Sequence, residues 1–185
     1  DLHPNVTLRF DMSLTRTLLE RLRAGRLDIA IVAGQVVDPA LKTYSLGFDE
    51  FVWMVGQDFK IDKPLPVQPS DFKDWPILSL SEDSYHYPII DRWFRDSGVP
   101  HLNAISCNNM NVIARLTALG MGISLLPRGC YSDKLRRGEL IEIPADPKLP
   151  PVEFSLVVRP DTGPIIVETF LRAATKTASL LSTPN

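Results

Sequence analysis

The sequence predicts an α/β protein built on two small sheets. Short, continuously apolar runs alternate with stretches whose apolar residues recur every three or four positions. A β-α-β pattern occurs twice, at 6–32 and again at 103–126. Between the two lies a proline-rich stretch with Pro64, Pro66 and Pro69, which favours two sheets over one long one. Strands alternating with helices, and apolar along their whole length, read as mainly parallel sheet.

Each element has its own signal. Residues 6–10 alternate apolar and polar and read as a strand. A helix follows, with Leu14, Leu18, Leu19 and Leu22 on one stripe, with Ser13, Thr15 and Thr17 as cap residues, and with Gly25 ending it. Residues 28–32 form a short apolar strand, and 41–46 and 50–55 read as two more around Gly47. Residues 69–75 form a short helix or turn, and 77–80 a strand. Pro88 opens a helix with Ile89, Ile90, Trp93 and Phe94 on one face, and Gly98 closes it, the usual placement of proline and glycine. Residues 103–107 read as a strand, and Asn108 or Asn109 caps a helix carrying Val112, Ile113, Leu116 and Leu119. A buried strand at 123–126, a short helix at 131–137, strands at 139–143 and 153–158 and a last helix at 164–181 complete the order. That last helix places Val167, Phe170, Leu171, Ala174, Ala178 and Leu181 on one side. Trp53, Trp93 and Phe94 read as core.

Composition narrows the function. Of 185 residues 44% are apolar and 23% charged, which excludes a disordered or low-complexity chain. Twenty Lys and Arg against twenty-two Asp and Glu leave a net charge of −2, where a domain gripping phosphate backbones carries a basic excess. No apolar run reaches the roughly 18–20 residues that span a bilayer, and 1–4 shows no secretion signal. The expectation is a cytoplasmic protein without membrane contact. Cys107 and Cys130, 23 residues apart, form no disulfide framework and read as reduced thiols.

No catalytic motif is present: no G-x-S-x-G, no phosphate loop and no H-E-x-x-H. Gly120-Met-Gly122 lacks the third glycine of a dinucleotide fingerprint and sits at the end of a helix, the wrong side. His3, His86 and His101 have no metal-ligand spacing with each other or with the cysteines. The reading is therefore no catalytic residues, no metal and no cofactor. What remains are three helix starts rich in small polar residues: Ser13 and Thr15, then Ser84-Tyr85-His86-Tyr87, then Asn108-Asn109. The unpaired N–H groups and positive dipole of a helix N-terminus suit a carboxylate. In open α/β sheets ligands collect beyond the carboxyl ends of strands, where these loops fall. Plain helix capping by Ser, Thr and Asn is the alternative for each loop, and an exposed aromatic loop is the alternative for 85–87.

Two segments resemble a known family. Residues 22–30, Leu22-Arg-Ala-Gly25-Arg-Leu27-Asp28-Ile-Ala30, follow His3-Pro4-Asn5-Val6-Thr7-Leu8 in the manner of the effector-binding domain of LysR-type transcriptional regulators. Residues 113–127, with Gly120-Met-Gly-Ile-Ser-Leu-Leu-Pro127, resemble a second segment of that domain in the right order. The resemblance implies a type 2 periplasmic-binding-protein-like fold. In it two Rossmann-like α/β subdomains, 1–54 with 157–185 and 55–156, are joined by two crossing strands, with the N-terminal strand and helix and the DNA-binding winged helix-turn-helix missing from this chain. It implies a bacterial regulator that senses a small-molecule effector, expected to be an organic carboxylate. It further implies self-association as a dimer or tetramer and DNA contact only through the winged helix-turn-helix. Carried over by position, Ser13, Thr15, Ala33, Ser84, Tyr85, His86, Asn108 and Asn109 are the effector-binding residues. Gly34 lies with Ala33 on the cleft floor. An extracytoplasmic solute-binding protein of the same fold and a small dehydratase-like enzyme are the rival readings.

Overall fold

The computed structural model describes residues 7–99 and 104–181. His3, Val6, His101 and Asn103 lie outside them, as do the side chains of Ala178 and Leu181. The first regular element is α1 (Thr15–Arg23), whose Leu18 and Leu22 turn to one side and are buried. Gly25 stops it at φ +68°, with Gly25 N–H donating to Leu22 O and Arg26 N–H to Arg21 O, the glycine-terminated helix end. The guanidinium of Arg159 adds bonds to the carbonyls of Leu22 (3.2 Å) and Leu27 (2.6 Å).

β1 (Ile29–Ala33), β2 (Lys42–Asp49) and β8 (Val152–Val158) form a three-stranded sheet with β8 in the middle. α1 covers one face, burying Leu18, Leu22, Ala30, Val32, Leu41 and Val157 together. α5 (Pro164–Leu181) covers the other, with Val167 against Leu156 and Val158 and with Phe170 and Leu171 beside them. Successive β8 residues thus go to opposite helices, as the two-residue strand period requires.

The second sheet holds β3 (Phe51–Gly56), β4 (Ile77–Leu80), β5 (Ala104–Cys107), β6 (Ser124–Pro127) and β7 (Leu140–Ile143). β3 lies between β6 and β7, and β4 pairs with β5. A parallel bridge between Ile77 and Ile123 joins the two groups, with Leu78 N–H on Ile123 O and Ile123 N–H on Pro76 O, both 2.9 Å. Phe51, Trp53 and Val55 face a core shared with the 3₁₀ turn Pro69–Asp74 and α2 (Tyr87–Asp96). Met54, Leu78, Leu80, Leu126 and Leu140 face α3 (Met110–Ala118) and the short α4 (Ser132–Arg136). Trp53, Phe72, Trp93 and Phe94 form an aromatic cluster with centroids 4.5–6.3 Å apart, and Trp93 Nε1 donates to Pro147 O at 2.6 Å.

Two strands join the halves. Only Glu50 separates β2 in the first sheet from β3 in the second, and Val152, buried in the second core, begins β8 of the first sheet. The joints lie side by side, because Asp49 pairs with Val152. Asp49 Oδ1 accepts from Gly129 N–H at 3.0 Å and Glu50 O from Arg128 N–H at 2.8 Å, so the first joint is tied to the second sheet.

Three expectations need correction. Residues 7–10 carry no regular structure, so the first strand is absent from the described residues. Most strand pairs are antiparallel, β4–β5 being the parallel pair among the named strands, because the strands that link the halves run against their neighbours. The expected Ser13, Thr15 and Thr17 caps do not form: α1 starts from Leu14, with no side chain capping it.

Candidate functional site

A cavity of about 360 Å³ opens between the two halves. The first half supplies the turn into α1, from Asp11 to Thr15, together with Leu18 and the end of β1, Ile31 to Ala33. The second half supplies the β4–α2 loop, with Leu80, Ser84, Tyr85 and His86, and the β5–α3 turn, from Asn108 to Asn111. The structure therefore brings Ser13, Thr15, Ala33, Ser84, Tyr85, His86, Asn108 and Asn109 to one cavity. Sequence reasoning missed Asp11 and Asn111 and much of the apolar part of the wall, Met12, Leu14 and Ile31 among it. Ile31, in a short apolar strand, lines the cavity and is 51% exposed.

Each helix start is built differently. Asn109 caps α3: its Oδ1 accepts from Asn111 N–H at 3.0 Å and Val112 N–H at 3.3 Å. At α2, Ser84 Oγ accepts from Tyr87 N–H at 3.1 Å, Pro88 has no N–H, and Ile89 and Ile90 N–H both go to His86 O. Those first-turn donors are already spent, so α2 offers the cavity its dipole and little else. α1 is the exception. With no side-chain cap, its first-turn N–H groups have no partner among the described residues. The Thr15 hydroxyl donates to Ala33 O at 3.3 Å, tying the start of α1 to the end of β1.

His86 is 7% exposed, packed against Phe51 with ring centroids 4.1 Å apart and the rings tilted by 35°, and its Nε2 is buried without a partner among the described residues. Burial pulls its titration down to about 4, so the ring is neutral at pH 7. Among the described residues Asp11 is the one carboxylate lining the cavity, and it is paired with Arg21. No Lys or Arg lines it among the described residues. Arg16 does not line it and is paired with Glu20 and Asp83. Elsewhere, Cys107 and Cys130 are free thiols, and no group of three His, Cys, Asp or Glu comes together as a metal would need among the described residues. No helix among them is long and apolar enough to cross a membrane. The site thus offers hydroxyls, amides, open backbone donors and an apolar wall, which can bind and orient a small polar molecule.

Known proteins are similar to this chain in sequence and in fold. The chain is 24% identical over 138 residues to the HTH-type transcriptional regulator CzcR of Bacillus cereus, a match covering 75% of this chain and 46% of CzcR. It thus spans about half the length of the curated relatives it matches. The regulatory domain of HypT from Salmonella typhimurium superposes with a TM-score of 0.75 at 16% identity, over 96% of this chain and 85% of that one. The effector-binding domain of QuiR in complex with shikimate superposes at 0.71 and 18% identity, over 96% and 81%. These likenesses carry the fold: two α/β units joined by two crossing strands, of the type 2 periplasmic-binding-protein kind. The family model described as the LysR substrate binding domain matches residues 1–179, and the chain belongs to that family of effector-binding domains of transcriptional regulators.

Proposed function

We propose that this chain is the sensing part of a cytoplasmic LysR-type regulator and that its effector is a small organic monocarboxylate held in the cavity between the halves. The observation that carries this reading is the uncapped start of α1 opening into that cavity, with the Ser13 and Thr15 hydroxyls beside it. Open N–H groups at the positive end of a helix suit an anion. The absence of Arg and Lys among the described lining residues argues against a double carboxylate clamp and favours one charge. The shikimate bound by QuiR, a ring with one carboxylate and three hydroxyls, is of the chemical kind such a wall would accept. Ala33, Ser84, Tyr85, His86, Asn108 and Asn109 complete the wall on this reading.

The domain does not transform its ligand. Binding favours one arrangement of the two halves, and that differential affinity shifts the equilibrium of a DNA-bound dimer or tetramer. DNA contact belongs to a part of the regulator outside this chain. The test is a thermal-shift screen against organic acids. A ligand at a hundred times its Kd adds about 2.7 kcal/mol of stability. Asn109→Asp keeps the cap but puts a negative charge on the wall, and Ser13→Ala removes a hydroxyl beside α1. Loss of the shift in both is expected. An acid that stabilises the wild type and both variants equally defeats the cavity assignment.

A further inference from the structure

The cavity has one wall element that is held from both sides of the cleft. Tyr85 belongs to the second half, yet its ring lies on the backbone of Gly34, the residue after β1 in the first half. A Cβ built on Gly34 would fall 2.0 Å from Tyr85 Cε2 and 2.5 Å from Cζ. Gly34 is anchored in turn: its N–H donates to Glu153 O of β8 at 2.7 Å, and its φ of +93° is a conformation side-chain-bearing residues rarely adopt.

The loop carrying Tyr85 is equally fixed. Ser84 N–H donates to Ser81 O at 2.9 Å, Ser81 N–H to Cys107 O at 3.2 Å, and Ser84 Oγ caps Tyr87 N–H. The edge of the Tyr85 ring meets the His86 ring at 89°. Arg16 of α1 reaches Asp83 of the same loop at 3.8 Å, but both are 73% exposed, so this pair adds little to the hold. The ring is backed by main chain on one side, while Tyr85 lines the cavity on the other.

We infer that Tyr85, seated on Gly34, is the residue that sets the upper size of the ligand. A side chain free to swing would yield to a larger ligand, whereas one resting on backbone does not. The rest of the wall is smaller or more pliable: Met12 and Met110 are flexible, and Ser13, Ser84 and Asn108 are short. This assignment rests on the carboxylate reading above.

The experiment uses a ladder of ring monocarboxylates, namely benzoate, 2-naphthoate and 2-anthroate, titrated by calorimetry into the wild type, Tyr85→Ala, Tyr85→Phe and Gly34→Ala. In the wild type Kd rises by about tenfold or more at one step of the ladder. Tyr85→Ala moves that step up by one ring. Gly34→Ala pushes the phenol ring into the cavity and moves it down. Tyr85→Phe, with the same ring, restores the wild-type step. Tyr85→Val serves if the alanine variant does not fold. A wild type that binds all three equally, or a step that stays put in the alanine and valine variants while every Kd weakens in parallel, overturns the size assignment alone. Failure of all three acids to bind the wild type and Tyr85→Ala overturns the carboxylate reading and this assignment with it.

Discussion

The phenol of Tyr131 donates to Asn111 Oδ1 at 3.0 Å, so the segment after β6 is tied to the first turn of α3 where that helix meets the cavity. Burial pushes the phenol up to about 12, above its ordinary 10. The folded state therefore keeps this proton where the unfolded chain loses it. The stability this contributes is complete below pH 10 and is lost as pH rises from about 10 to 12. Tyr131→Phe removes that alkaline component and the bond to Asn111, at a cost of roughly 0.5–1.5 kcal/mol near neutrality. Absorbance titration at 295 nm with parallel denaturant melts checks it. Identical alkaline slopes in the two proteins count against it.

His86 gives the opposite dependence at acid pH. Its folded titration near 4 lies below the unfolded value of about 6.5, so between those pH values the unfolded chain binds a proton that the folded chain refuses. Stability should be undiminished above pH 6.5 and fall progressively towards pH 4, by up to about 3 kcal/mol from this group. His86→Phe should flatten this part of the profile. Urea melts from pH 4 to 7 measure it, and an unchanged acid slope in the variant refutes the assignment.

Asn109 should separate cap from ligand contact. Asn109→Ala loses the cap bonds to Asn111 and Val112 and should cost about 1 kcal/mol without ligand, while Asn109→Asp keeps them and should cost little. Thermal melts of the two variants decide it. Equal losses would mean that the cap contributes nothing to stability.

Thr117 and Ser124 share a buried hydrogen bond of 2.6 Å, and the Thr117 hydroxyl also donates to Ile113 O at 2.8 Å, so Ser124 is the donor of the pair. Thr117→Val keeps the shape and strands the Ser124 hydroxyl between α3 and β6. A loss of about 1–3 kcal/mol is expected, partly recovered in Thr117→Val with Ser124→Ala. A double-mutant cycle measures it. Additive losses would show that the two hydroxyls do not depend on each other.

Much of the fold was legible because the signals were local. Gly25, Gly98 and Asn109 mark helix ends through chemistry confined to one turn, and the helix at 164–181 runs over the residues its apolar stripe indicated. Strand direction was not legible. The apolar run 77–80 is parallel to β5, while 124–127 is antiparallel to β3, and nothing within either run distinguishes them. The prolines at 64–69 lie inside the second half, and the crossing happens at Glu50, which carries no turn chemistry.

At the cavity, most of the polar residues could be named because they fall at helix starts, though Asp11 and Asn111 were not. Met12 and Ile31 could not, since an apolar residue facing a ligand has the same composition as one facing a helix. The contact between Tyr85 and Gly34 joins positions 51 apart through tertiary structure alone.

Trp53, Trp75 and Trp93 are the chain's three tryptophans, and all of them sit in the core of the second half, with none in the first. Intrinsic fluorescence excited at the indole band is therefore a private reporter of that half, whereas circular dichroism sums both. Recording the two signals during one denaturation, without any label, reveals whether the halves melt as a single cooperative unit or in succession.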